Sequence, residues 1–216
     1  MSPVGGGVAA GPLTVVTGVP RSGTSLLMQL LARGGMPVTT DGVRRPDESN
    51  PRGYFEHEAV KGLGSGRLSR DELAAMADTA VKIVAPLVLR LPAGLRYRVL
   101  LVRREVAEIV ESQRRMLARA GVPAAAGSDE ALARAITRSW LQVRTWAAGN
   151  PDAELLELDY AELVHQPRRS IATINAFLGG GLAVEPMAGA VDPALHRNRA
   201  TLCSLGVAAG QTCRVP

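Results

Sequence analysis

Apolar residues along the chain fall into two kinds of run. The first kind is short and nearly continuous: residues 14–17, 81–84, 97–102 and 154–158 are dominated by Val, Leu and Ile. Runs of this length and composition predict strands of a buried parallel sheet rather than an alternating, half-wet one. The second kind has helical spacing. Leu26, Leu27, Leu30 and Leu31 share one face of a helix over 23–33, which Gly34 and Gly35 stop. Val106, Ile109, Val110, Gln113 and Leu117 form the stripe of a helix over 105–120, ended by Gly121, Val122 and Pro123. Ser128 is the expected N-cap of the next helix, with Asp129 and Glu130 in its first turn and Leu132, Ile136, Trp140 and Val143 on its inner face. Residues 160–178 read as helical around Pro167 and close at Gly179, Gly180 and Gly181.

Strands and helices alternate. That order predicts a three-layer α/β/α fold with a central parallel sheet, of the P-loop NTPase-like type. Ligands of such sheets bind at the carboxyl ends of the strands. Residues 18–25, 82–86 and the pair Arg103 and Arg104 are expected to meet there. Residues 1–12, rich in Gly, Pro and Ala, are predicted to be a disordered tail. Residues 13–216 are read as a single domain whose tail, from about residue 186, shows no period. Residues 39–58 read as a loop running into a helix near Glu56.

Composition narrows the class of ligand. A length of 216 residues with 46% hydrophobic and 21% charged residues gives one ordinary globular core. A net charge of +5 favours an anionic ligand. Two Phe, three Tyr and two Trp are too few for the stacking platforms of non-specific nucleic-acid binding, so no nucleic acid is expected as partner. The N-terminus lacks the basic and apolar regions of a signal peptide, and no apolar run reaches membrane-spanning length. The expectation is a cytoplasmic protein, without membrane association, with Cys203 and Cys213 as free thiols.

The stretch "TVVTGVPRSGTSLLMQLL" carries the chemistry. Gly18 and Gly23 have the spacing of a P-loop, but Thr24 stands where a triphosphate loop has its lysine. Small residues at 22–25 let backbone N–H groups converge on an anion at a helix start. Ser22, Thr24 and Ser25 add hydroxyls, and Arg21 adds a fixed charge. The clearest strand ends in Arg103 and Arg104, where Mg²⁺ chemistry would need a carboxylate. The site is therefore read as metal-free and built for a nucleotide with two separated anionic ends. Lys82 is either directed into this site or a solvated strand-edge charge. Arg114, Arg115 and Arg119 read as a solvated helix face, Trp140 as core, and Trp146 as a surface or pocket residue.

"GVPRSGTS" followed by "LVRREVAEIVESQ" resembles the sulfotransferases that use 3′-phosphoadenosine 5′-phosphosulfate (PAPS), in the P-R-S-G-T form of tyrosylprotein and many bacterial members. The stretch "ELDYAELVHQPRRSIATINAFLG" resembles the family's later strand, turn and helix. The resemblance implies that Pro20, Arg21, Ser22, Gly23, Thr24 and Ser25 hold the 5′-phosphosulfate, with Arg21 stabilising the bridging oxygen as the sulfuryl group leaves. It implies that Arg104 and Ser112 bind the 3′-phosphate and that Tyr160 lies near the adenine. The tryptophan on which some members stack adenine is Leu26 here. The Arg-Lys-Gly motif of some members is missing, with Arg197 and Arg199 in "LHRNR" as its substitute.

The implied reaction moves a sulfuryl group from PAPS to a hydroxyl or amine of a small molecule, leaving 3′,5′-adenosine bisphosphate (PAP). The acceptor needs a general base. In resembling members it is a glutamate some way past the loop arginine. Glu48, in the constrained "DESNPRGYFE" segment, is the first choice, with Asp47 next and Asp41, Glu56 and His57 as alternatives. Asp47 and Glu48 have an equally good structural reading as partners of Arg44, Arg45 and Arg52. The rival functional readings are a P-loop kinase-like phosphotransferase and a non-catalytic nucleotide-binding module.

Overall fold

The protein is described from a computed structural model over residues 11–43, 53–119, 121 and 128–195. Its elements follow the alternation expected from the sequence. Strand β1 (Leu13–Gly18) leads through the glycine loop into α1 (Thr24–Arg33), then β2 (Val38–Thr39). Two short helices, α2 (Glu58–Lys61) and α3 (Arg70–Ala74), precede β3 (Ala80–Val84) and α4 (Ala85–Val88). The long elements follow: β4 (Tyr97–Arg103), α5 (Val106–Arg119), α6 (Asp129–Ala148) and β5 (Ala153–Asp159). The described chain closes with α7 (Tyr160–His165), α8 (Pro167–Phe177) and α9 (Val184–Gly189).

The sheet order is β2-β3-β1-β4-β5, and every pairing is parallel. Strand β1 sits at the centre, and the chain builds to its β3 side before crossing to its β4 side. The carboxyl end of β1 is therefore the topological switch point, where such sheets bind ligands.

Alternation within the strands feeds two cores. Val15, Val81, Ile83, Val99 and Leu101 face one layer and meet Leu73, Val88, Ile109, Trp140 and Val143. Val16, Ala80, Leu100, Val102 and Leu158 face the other and meet Leu27, Leu31, Leu163, Ile171, Ile174 and Met187. The Val, Leu, Ile and Met side chains among these each stabilise the fold by roughly 1.5–3 kcal/mol relative to exposure. Trp140 is core, as read from its stripe; Trp146 flanks the same core, its ring 6.1 Å from that of Tyr97.

Several short elements differ from the sequence reading: α3 and α4 lie in stretches with no helical period, and the helix read over 160–178 is divided at Gln166 into α7 and α8. Strand β2 is only two residues long, too short to show a period. Helix α9 lies partly in the region read as irregular; its six residues place Met187 against α1, and a one-and-a-half-turn helix leaves almost no periodic signal. The N-cap at Ser128 is formed, its hydroxyl accepting from the Ala131 amide.

Candidate functional site

The loop after β1 is held in a strained, tightly fitted form. Arg21 has φ 76°, a left-handed conformation that costs a branched-chain-free but bulky residue of the order of 1 kcal/mol or more. Gly23 has φ 107°, and a Cβ there would lie 2.3 Å from the Tyr160 ring. A Cβ on Gly18 would lie 2.4 Å from Ser22 Oγ and 2.8 Å from the Val102 carbonyl oxygen. Both glycines are required by close approach, not only by the turn. Within the loop, Ser22 Oγ is buried with no hydrogen-bond partner, as is Thr17 Oγ1 near the end of β1. Orphaned hydroxyls in and beside a glycine loop at a helix start are what an anion with several acceptor oxygens would complete.

Helix α5 forms one wall. Arg21 Nε donates to Ser112 Oγ at 3.0 Å, and Gln113 Nε2 donates to the Pro20 carbonyl at 3.2 Å. Arg104 lies in the turn between β4 and α5. Its Nε donates to Glu108 Oε2 at 2.8 Å and its Nη1 to the Arg21 carbonyl at 3.3 Å. The side chains of Arg104 and Glu108 are only 8% and 9% exposed, so this is a buried ion pair rather than a surface one. The guanidinium lies 4.5 Å from the centre of the Tyr160 ring. Burial pushes the Tyr160 hydroxyl above its ordinary value, and Arg104 beside it pulls the other way. Tyr160 thus packs against both Gly23 and Arg104, wedging the loop and the arginine together.

Arg103 and Arg104, adjacent in sequence, part at the end of β4. Arg103 turns to the opposite layer, its guanidinium 5.1 Å from the Trp140 ring and 3.2 Å from Glu157. Only Arg104 joins the loop.

The β3 side forms the other wall. Lys82 is 9% exposed and points toward α1. Its Nζ donates to the Tyr54 carbonyl and lies 3.3 Å from Glu56 Oε1 and 3.4 Å from Ser25 Oγ. Of the two readings left open for Lys82, the structure selects the inward one. The strands flanking β1 therefore end in Lys82-Ile83-Val84 and in Val102-Arg103, without a carboxylate at either end. Among the described residues no group of three or more His, Cys, Asp or Glu could hold a metal ion. No helix among them is long and apolar enough to cross a membrane.

No family model matches the chain, and no curated protein does. Solved structures do. The sulfotransferase domain of the Synechococcus PCC 7002 olefin synthase aligns with a TM-score of 0.53 and 16% identity, over 93% of this chain and 90% of that one. The chain has a sulfotransferase fold. The sulfotransferase domain from the curacin biosynthetic pathway aligns with a TM-score of 0.48 and 15% identity, over 79% of this chain and 74% of its own. A sulfotransferase from Alicyclobacillus acidocaldarius aligns with a TM-score of 0.47 and 15% identity, over 79% and 82%.

Within this sulfotransferase fold, Pro20, Arg21, Ser22, Gly23, Thr24, Ser25, Arg104, Ser112 and Tyr160 gather at the carboxyl end of β1 and β4. Asp47, Glu48, Arg44, Arg45, Arg52, His196, Arg197, Arg199 and both cysteines lie outside the described residues. Asp41 is described and exposed. Its carboxylate accepts from the amides of Val43 at 3.0 Å and Glu58 at 2.5 Å, and these backbone bonds hold it below the usual carboxylate range. Arg114 and Arg115 are exposed and paired with Asp129 and Glu111. Sequence reading missed Glu108 and Gln113 as loop supports. For Glu108 the signal was helical spacing, four residues after Arg104 and four before Ser112; for Gln113 it was its place on the stripe of that helix. Tyr54 left no signal, because its hydrogen bonds to Lys82 and Ser25 are made by its backbone carbonyl.

Proposed function

We propose that the protein is a PAPS-dependent sulfotransferase, moving a sulfuryl group to a hydroxyl or amine of a small-molecule acceptor and releasing PAP. The observation that carries the reading is the convergence of Arg21, Arg104 and Ser112 on a loop that lacks the triphosphate lysine, within a sulfotransferase fold. In this reading residues 20–25 hold the 5′-phosphosulfate through backbone amides, the α1 N-terminus and the hydroxyls of Ser22, Thr24 and Ser25. The orphaned Ser22 hydroxyl suits that role. Arg104 and Ser112 bind the 3′-phosphate, and Arg197 adds a further cation. Tyr160 serves chiefly to fix Arg104 and Gly23, since its ring is buried.

The acceptor oxygen or nitrogen attacks sulfur in line. The bond between sulfur and the bridging oxygen breaks, and the electron pair leaves with the nucleotide. Arg21 sits within reach of that charge and stabilises it. The acceptor proton passes to a carboxylate of the segment after β2. Glu48, with Asp47 beside it, remains the assignment for that base. Asp41 is the weaker candidate, because its oxygens are already spent on two backbone amides.

Calorimetric titration with PAP, against 5′-ADP with and without Mg²⁺, tests the reading. Metal-independent preference for PAP is expected. In Arg104→Ala that preference should fall by roughly a hundredfold, the loss expected for charge-assisted hydrogen bonds. Ser112→Ala, which leaves Glu108 paired, should lower it less. Equal affinity for both ligands, or binding only with Mg²⁺, would return the loop to a kinase-like chemistry.

A further inference from the structure

Lys82 sits where a cation should be unwelcome. Its ammonium lies in the first turn of α1, 3.4 Å from Ser25 Oγ, at the end of the helix that carries partial positive charge. It is also buried, which penalises any charge that is not compensated. The compensation comes from outside the loop. Glu56 Oε1 is 3.3 Å away, the Tyr54 carbonyl accepts from the ammonium, and the Tyr54 ring centre is 5.9 Å from it. Ser25 Oγ in turn donates to the same Tyr54 carbonyl at 3.4 Å. The loop and the 54–56 segment are thus joined through one buried charge.

An anion bound at the first turn of α1 reverses this balance. It would lie beside Ser25 and draw on the same ammonium that now serves Glu56. We propose that Lys82 is a shared counter-ion, for which Glu56 and a phosphate or sulfate group on the loop compete. This rests on the reading of the loop as an anion site. Anion binding then releases the Glu56 carboxylate from Lys82, on the segment that precedes α2. By linkage, the Glu56 charge lowers the affinity of the loop for its anion only so long as Lys82 is there to be shared. The device couples occupancy of the loop to the electrostatics of the neighbouring segment.

A double-mutant cycle on anion affinity tests this. PAP is titrated calorimetrically, at constant ionic strength, into the wild-type protein, Glu56→Gln, Lys82→Met and the double variant. Glu56→Gln should tighten PAP binding about fivefold, and Lys82→Met should weaken it about tenfold. In the Lys82→Met background, Glu56→Gln should change affinity less than about twofold. If the tightening is the same in both backgrounds, Glu56 acts by direct repulsion and the counter-ion is not shared. If Glu56→Gln leaves affinity unchanged or weakens it, the competition does not exist. Lys82→Gln, which keeps a donor for the Tyr54 carbonyl, carries the comparison if Lys82→Met does not fold. A wild-type protein that ignores PAP rejects the nucleotide reading alone. The same cycle with inorganic sulfate then decides the counter-ion, and silence toward sulfate as well overturns it.

Discussion

The two walls of the loop are built on opposite plans. The α5 wall rests on a strand of seven residues and a helix of fourteen, and its cation is paired four residues along the same helix region. The β3 wall rests on a strand of five residues and on α2, a helix of four, and its cation is paired with a residue 26 positions earlier in the chain. The first wall is local and regular, and its parts are stabilised by the elements that carry them. The second depends on contacts between distant segments, among them the Lys82–Glu56 ion pair and the Tyr54 carbonyl. On the reading proposed above, the first wall would hold one phosphate of the donor and the second would share its cation with the anion on the loop.

Breaking the rigid wall should have the largest effect. Tyr160→Ala removes a 5%-exposed ring that touches Gly23 and Arg104, and should cost about 3–5 kcal/mol of stability together with most PAP affinity. Urea unfolding measures the first and calorimetry the second; Tyr160→Phe, which keeps the ring, should recover most of both. Gly23→Ala follows, at about 2–3 kcal/mol, because its Cβ meets the same ring and its φ is positive. A Gly23→Ala protein as stable as wild type would show that the loop and Tyr160 are not in contact.

Hydrogen exchange sharpens the comparison without mutation. Amides of Ile109 to Gln113 in α5 should exchange at least about a hundredfold more slowly than those of α2, since the two walls differ in length and burial. Equal protection would remove the distinction drawn between them. Ser112→Ala is a smaller break: Arg21 Nε loses its acceptor, and about 0.5–1.5 kcal/mol of stability or PAP affinity goes with it.

The smallest effect at neutral pH lies far from the loop. Burial pushes the Tyr97 hydroxyl up to about 12, and that hydroxyl donates to the Pro92 carbonyl at 2.7 Å. Unfolded tyrosine ionises near 10. Between these values the unfolded chain releases a proton that the folded chain keeps, so stability is intact below pH ~10 and falls as pH rises toward 12. Tyr97→Phe should flatten that alkaline slope in urea titrations and leave it unchanged below pH ~9.

Much of the donor side was legible from residues alone. The loop announces itself through Gly18 and Gly23, and the eight-residue spacing from Arg104 to Ser112 puts the turn after β4 and the second turn of α5 on one side of that helix. The long amphipathic stripes of α1, α5 and α6 read correctly, because several turns of periodicity outweigh local noise. On the β3 side the strand and Lys82 were legible, but the partners of Lys82 were not. Helix α2, strand β2 and helix α9 are too short to carry a period, so no local pattern distinguishes them from loop. Tyr160 was read as a partner for the base of the nucleotide; its burial against Gly23 is a packing outcome that no spacing announces.

Local sequence therefore determined which segments are strand and which are helix, where the chain must turn at glycine, and that two cations would stand at one strand end. Those properties depend on residues within a few positions of each other. Only the tertiary structure decided that Arg104 turns to the loop while Arg103 turns away, and that Lys82 points inward to meet Glu56. Such choices are made by burial and charge compensation between segments far apart in the chain. Which face of a strand end is dry, and which carbonyl waits there, exists only once the layers have closed on the sheet.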